Sequence, residues 1–237
     1  GNYQMFFNTY YAGNNEKVSG AVQVIDPVRL KQMSVKQSLE LVSIPNPNNQ
    51  SESIQVIANI FGYKKVQHDF KMSEPFDSLS ANFLSFKGDV LMVDFPLFRY
   101  DVGDIATMFN VYYYKDAAVM RPESQFEIQA LLEMLEENPD LKILIHGHTN
   151  GKAPGKIIRV TDESTNYFSL DNTDEGFGSS QQLSEERALV IKSYLVSNGI
   201  DESRTEVKGW GGKKPIYDKF DRRALKNVRV EIEILEN

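Results

Sequence analysis

Two hydrophobic periods run along this chain, and the change from one to the other falls near residue 103. Upstream, apolar residues recur at every second position. Val22 and Val24 do so within 18–25, Leu39 and Leu41 follow, and Ile54, Val56, Ala58 and Ile60 repeat the pattern. Residues 66–70 and 90–95 add further apolar runs. A period of two places alternate side chains on one face of a strand. Turn chemistry separates these runs at Pro45-Asn46-Pro47-Asn48-Asn49, Phe61-Gly62-Tyr63 and Lys87-Gly88-Asp89. The pattern predicts a small β-sandwich over 1–103. The polar segment Phe98-Arg99-Tyr100-Asp101-Val102-Gly103-Asp104 reads as a linker.

Downstream the two periods alternate. A strand is predicted over 110–115, followed by Pro122 at the first turn of a helix, where its missing N–H costs nothing. Ile128, Leu131, Leu132 and Leu135 then fall at i, i+3, i+4 and i+7, one stripe of that helix. Asn138-Pro139 stops it, and Leu141, Ile143 and Ile145 form a strand. A long polar stretch, 151–182, carries Asp162, Glu163, Asp171, Asp174 and Glu175. Within it 157–160 and 167–170 are predicted to pair as a hairpin. Ser184 is the expected N-cap of the next helix, with Leu183 and Ala188 as its hydrophobic staple. Ala188, Ile191 and Leu195 mark the buried face, and Asn198-Gly199 the stop. A strand over 205–208, a turn at Gly211-Gly212 and a helix over 218–226 follow. Val228, Val230, Ile232 and Ile234 then alternate with Arg229, Glu231 and Glu233, a strand with one wet face. The fold class is therefore α+β: an N-terminal sandwich, then β-α-β-α-β-α-β over 104–237 with helices on one face of a mixed sheet.

Composition narrows the function. A net charge of −7 argues against nucleic acid, whose phosphates require clustered Lys and Arg. With no cysteine there is neither a disulfide framework nor a thiolate metal site. No apolar run approaches the roughly 20 residues of a membrane span. Any export signal or membrane tether is expected outside this chain.

Candidate chemistry gathers on two stretches, 143–150 and 183–188. The first is an apolar strand ending in Gly147, His148, Thr149 and Asn150. The second is a predicted helix start, whose unpaired N–H groups and dipole suit an anion. Arg187 offers a charged, rigid fork of donors to a carboxylate. Its bland alternative is a solvated charge paired with Glu123 or Glu185. Asn150 before Gly151 equally makes a simple turn. His146 and His148 share one side of a strand, but only His68 remains as a third histidine, so a structural role is expected and no metal is assigned. Glu185 and Glu186 point apart on a helix, and neither G-x-S-x-G nor a nucleophilic cysteine exists. The tyrosines at 112–114 read as core and sheet face. No enzyme activity and no cofactor is expected.

In order, Gly147-His148-Thr149-Asn150, Leu183-Ser184-Glu185-Glu186-Arg187-Ala188, Gly209-Trp210-Gly211 and Asn227-Val228-Arg229-Val230-Glu231 resemble the OmpA-like peptidoglycan-binding domain of outer-membrane proteins, Pal lipoproteins and flagellar stators. The resemblance spans about 104–237. It implies non-covalent binding of the diaminopimelate end group of a peptidoglycan stem peptide, with Arg187 on the carboxylate. Asn150, Thr149, Ser184, Asn227, Arg229 and Tyr114 match positions around the family's pocket. Asn150 stands where the family has an aspartate, Tyr114 where many members carry a second acid, and Val228 replaces the first of two arginines. One of the loop acids Asp171, Asp174 or Glu175 is expected to replace the missing carboxylate. The implied location is periplasmic and associated with the outer membrane, which the protein would anchor to the wall. The alternative is a structural envelope adaptor that has lost wall binding and contacts a protein through the long acidic loop. Val18-Ser19-Gly20-Ala21-Val22 and Ile60-Phe61-Gly62-Tyr63-Lys64 are similar to a carboxypeptidase-regulatory-like sandwich, a candidate site for envelope partners.

Overall fold

The computed structural model describes residues 2–74 and 81–237. The chain divides into two compact units, Gly1–Tyr100 and Asp101–Asn237.

The first unit is a β-sandwich of two four-stranded sheets. Its strands are β1 (Asn2–Tyr11), β2 (Ala21–Asp26), β3 (Lys31–Gln37), β4 (Leu41–Pro45), β5 (Ser53–Ala58), β6 (Val66–Lys71), β7 (Leu84–Lys87) and β8 (Val90–Leu97). One sheet runs β4-β1-β8-β7 and the other β3-β2-β5-β6. Most of the alternation read from the sequence becomes the interior: Val22, Val24, Ile54 and Val56 are buried from one sheet, Ile44, Val93 and Phe95 from the other, but Leu39 sits in a turn at φ +62° and Leu41 is 61% exposed. Phe7 meets Phe95 edge to face with ring centroids 6.0 Å apart. Each such buried aromatic contributes roughly 1.5–3 kcal/mol. The sequence pattern missed β1, although Met5, Phe7 and Thr9 are all buried at period two. It interleaves them with Phe6, Asn8 and Tyr10, so the polarity contrast that marks a strand is weak.

The second unit contains β9 (Ile105–Met108), β10 (Ala117–Ala118), α1 (Gln125–Glu137), β11 (Lys142–His148), β12 (Gly155–Val160), β13 (Thr173–Gly178), α2 (Ser180–Ser197), β14 (Thr205–Gly209) and β15 (Arg229–Glu236). The main sheet runs β14-β11-β15-β9 and is mixed, with β11 parallel to β14 and antiparallel to β15. The α1 stripe is as expected, with Ile128, Leu131, Leu132 and Leu135 all buried. Arg204 closes the far end of that helix by donating to the carbonyls of Leu135, Asn138 and Leu141. The last four residues of the segment read as a linker, 101–104, already belong to this unit: the Gly103 N–H donates to Ile234 O, and Asp104 O accepts from the Ile234 N–H.

Four local expectations fail, each for a physical reason. Residues 110–115 form no strand. The Tyr112 N–H and C=O are taken by the Ser124 hydroxyl, at 2.8 and 2.9 Å, and the chain turns back at Asp116, where φ is +54°. Residues 218–226 form no α-helix. The Asp218 and Asp221 carboxylates accept the N–H groups of Phe220 and Arg223, local bonds that compete with helical ones. Only a 3-10 turn, Ala224–Asn227, follows. The hairpin exists, but β12 pairs with 173–178 rather than 167–170. The sequence Thr-Asp-Glu-Gly-Phe-Gly has no apolar alternation to announce it. Finally, α2 starts at Ser180, not after Ser184. Its N-cap is Ser179, whose Oγ accepts the Gln182 N–H at 3.1 Å. The S-x-x-Q spacing of 179–182 is a capping signal that a reader of the sequence had available.

Candidate functional site

Two glycines let α2 lie on the sheet. A Cβ at Gly147 of β11 would stand 1.9 Å from the Ser184 carbonyl oxygen, and one at Gly209 of β14 2.4 Å from that of Gln181. No larger residue permits this backbone approach. Ser184, fully buried, then stitches the layers: its Oγ accepts the Gly211 N–H at 2.8 Å and donates to Gln181 O. The carbonyl of Gly211 accepts the Thr149 N–H at 3.0 Å. The end of β11, the turn after β14 and the first turns of α2 are thereby fixed to one another.

Arg187 lies seven residues into α2, about two turns from its start, so the free N–H groups of the helix end do not serve it. It is only 7% exposed. Its Nε donates to Ala117 O of β10 at 2.9 Å, and its guanidinium stands 4.9 Å from the centre of the Tyr113 ring. The Tyr113 hydroxyl donates to Arg187 O at 2.9 Å, closing a small cage. No carboxylate among the described residues lies within 4.0 Å of Arg187. Neither Glu123 nor Glu185 pairs with it: Glu123 binds Arg121 instead. Burial lowers the Arg187 pKa, against the charges of Tyr113 and Asp116, and burial pushes the Tyr113 phenol far above its ordinary value. The sequence pointed to Tyr114, whose half-buried side chain has no hydrogen-bond partner among the described residues; the ring that meets Arg187 is its neighbour Tyr113.

The polar residues below this point are committed inside the protein. Asn227 is fully buried and saturated. Its Oδ1 accepts the N–H groups of Ile216 and Tyr217, and its Nδ2 donates to Tyr217 O and to Asn150 Oδ1, the last at 2.8 Å. That contact leaves Asn150 to present its Nδ2 donor. The Thr149 hydroxyl donates to Gly151 O. Arg229, 5% exposed, donates to Glu231 at 2.7 Å and to the carbonyls of Lys214 and Asn227. His148 meets the other oxygen of Glu231 at 3.2 Å, and His146 meets Glu233 at 2.6 Å while accepting from Trp210. The face expected to be wet is thus a buried polar network over Arg229, His146 and His148. This assigns both histidines structural partners.

The long loop reaches the Arg187 site through its backbone. Strand β12 pairs with β10, which carries the Ala117 carbonyl, and Arg159 of β12 forms a two-pronged ion pair with Glu186 of α2 at 2.7 Å. The three acids expected to supply a carboxylate lie elsewhere. Asp171, Asp174 and Glu175 are exposed; Asp171 accepts from Ser169, Glu175 pairs with Lys156, and Asp174 lies opposite Arg159 in the hairpin register.

This is an α+β domain that cages a buried arginine between α2 and β10. Residues 112–227 match the model of the OmpA family and form an OmpA-like domain. A stretch of 55 residues is 47% identical to outer membrane protein A of Bordetella avium, covering 23% of this chain and 28% of that one. Over 121 residues the chain is 26% identical to outer membrane porin F of Pseudomonas fluorescens, covering 50% of this chain and 30% of that one. The chain thus spans less than a third of either relative. Among solved structures it is similar to the periplasmic domain of Helicobacter pylori MotB, with a TM-score of 0.42 and 18% identity over 59% of this chain and 80% of that one. OmpA-like domains are known to anchor to peptidoglycan.

Proposed function

We propose that the second unit binds the diaminopimelate end group of peptidoglycan stem peptides in the periplasm and tethers the outer membrane, or a complex attached to it, to the wall. The observation that supports this is Arg187, a buried guanidinium with no anion of its own. A buried charge without a partner is costly, and a ligand carboxylate removes that cost. In this reading Asn150 contacts the ligand, while Thr149, Ser184, Asn227 and Arg229 position the site and Tyr114 borders it. The loop walls the site through β10 and β12 rather than by supplying a carboxylate. The role is binding rather than catalysis, with the sandwich as a spacer or partner-binding unit.

Sedimentation with purified sacculi tests it. Arg187→Ala removes one charge-assisted contact, about 1.5–3 kcal/mol, and is expected to weaken binding at least tenfold with the fold intact. Unchanged sedimentation overturns the assignment. The adaptor reading rests on Phe177, 74% exposed on β13 amid the exposed acids of the hairpin. Sedimentation of the parent chain with sacculi separates the two readings. A parent that does not sediment, yet loses a protein partner when 155–179 is replaced by a short Gly-Ser bridge, favours the adaptor.

A further inference from the structure

The segment between β14 and β15 carries a charge and a surface that wall binding does not use. From Lys213 to Lys226 it holds six Lys or Arg residues against Asp218 and Asp221, a net of +4 in a chain whose total is −7. The rest of the chain is therefore −11. Four of the cations have protein partners: Arg223 pairs with Asp221, Lys214 stands 3.4 Å from the Trp210 ring centre, Lys213 donates to Gln181, and Lys219 stands 5.9 Å from the Phe220 ring centre. Lys219, Arg222 and Lys226 are exposed, and no carboxylate among the described residues lies within 4.0 Å of them.

Apolar side chains stand out of the same segment. Phe220 is 90% exposed, Leu225 82% and Ile216 46%. Their exposure does not come from a loose loop. Asn227 clamps its base through three hydrogen bonds to Ile216 and Tyr217, Ala224 is buried, and the turns at Asp218 and Asp221 fix its path. Lys219 and Arg222 flank Phe220, and Lys226 follows Leu225.

We propose that Lys213–Lys226 docks on an anionic lipid surface. Phe220 and Leu225 enter the boundary between headgroups and acyl chains, and Lys219, Arg222 and Lys226 meet the lipid phosphates. Cations that no carboxylate meets call for an anion, but a soluble anion gives Leu225 and Ile216 nowhere dry to go. A lipid interface accommodates both. No helix among the described residues is long and apolar enough to cross a membrane. The net charge of the chain opposes attraction to an anionic surface, so binding depends on this patch.

Co-sedimentation of the full chain with phosphatidylcholine vesicles, with and without phosphatidylglycerol, tests the proposal. The chain is expected to pellet only with phosphatidylglycerol present, and less as salt is added. Each neutralised cation is worth roughly fivefold near such a surface, so Lys219→Gln, Arg222→Gln and Lys226→Gln together cost about a hundredfold. Phe220→Ser with Leu225→Ser is expected to weaken binding about tenfold or more and to keep the salt dependence. Both variants keep their affinity for sacculi, which shows an intact fold and separates this surface from Arg187. A chain that stays in the supernatant with anionic vesicles at low salt overturns the proposal, as does a triple variant that binds like the parent. Loss of sacculus binding in the triple variant, without vesicle binding by the parent, transfers the surface to the wall polymer.

Discussion

Arg187 and Arg229 are equally buried, at 7% and 5% exposure, yet their surroundings differ in kind. Arg229 is answered by the Glu231 carboxylate at 2.7 Å and two carbonyls, and Glu231 is shared with His148. Arg187 has one carbonyl and the face of a tyrosine ring. A buried charge with a full set of partners is part of the scaffold. A buried charge with a partial set implies a partner from outside. Burial alone does not separate the two; the count of acceptors does.

Removing each cation in turn is the strongest way to break that comparison. Arg229→Met strips Glu231 of its guanidinium and leaves the carbonyls of Lys214 and Asn227 without it. The expected loss is about 3–5 kcal/mol in urea unfolding of the second unit. An unchanged midpoint means the network contributes no net stability.

Acid titration probes the same network. The Glu231 carboxyl is held down to about 2 from an ordinary 4.5, first by its hydrogen bond from His148, then by the hydrogen bond and charge of Arg229, against the opposing effect of burial. Its folded value lies below its unfolded value, so its contribution is complete above about pH 4.5 and is lost as pH falls toward about 2. The loss is at most about 3 kcal/mol. Buried Glu127 works the other way, because burial raises its pKa and protonation relieves it. Following the thermal midpoint against pH for Glu231→Gln isolates the first effect: the slope between about 4.5 and 2 should flatten.

Asn150→Asp sharpens the contrast on the ligand side. Asn227 Nδ2 can donate to a carboxylate as well as to the amide it now meets. The new charge is expected to tighten binding of a diaminopimelate-containing peptide by about 1 kcal/mol in calorimetry, since an exposed ion pair gives no more. Equal or weaker binding means that residue 150 does not face the ammonium. The smallest effect is on stability at Arg187. Arg187→Met should remain within about 1 kcal/mol of the parent, because no carboxylate loses its partner. A loss as large as that at Arg229 erases the distinction between the two arginines.

Much of this fold was legible before any coordinates. The α1 stripe, the alternation of β15 and the strand ending at Gly147 are local patterns, and local patterns survive folding when they feed a single core. The polar ends were less legible. The pattern extended 110–115 and 218–226 into regular elements because periodicity does not register a side chain that takes the backbone bonds. Ser124 does so at Tyr112, and Asp218 and Asp221 do so where a helix over 218–226 was expected.

The sequence by itself determined the α1 stripe, the strands β11 and β15, and the motif that singled out Arg187. It did not distinguish Arg187 from Arg229, Tyr113 from Tyr114, or the loop acids from a ligand-facing carboxylate. Those differences depend on which groups meet across distant stretches, such as Glu231 with His148 or Arg187 with Ala117. Residues of one type carry the same chemistry along the chain. Only tertiary packing removes their water and decides which of them receive a replacement partner.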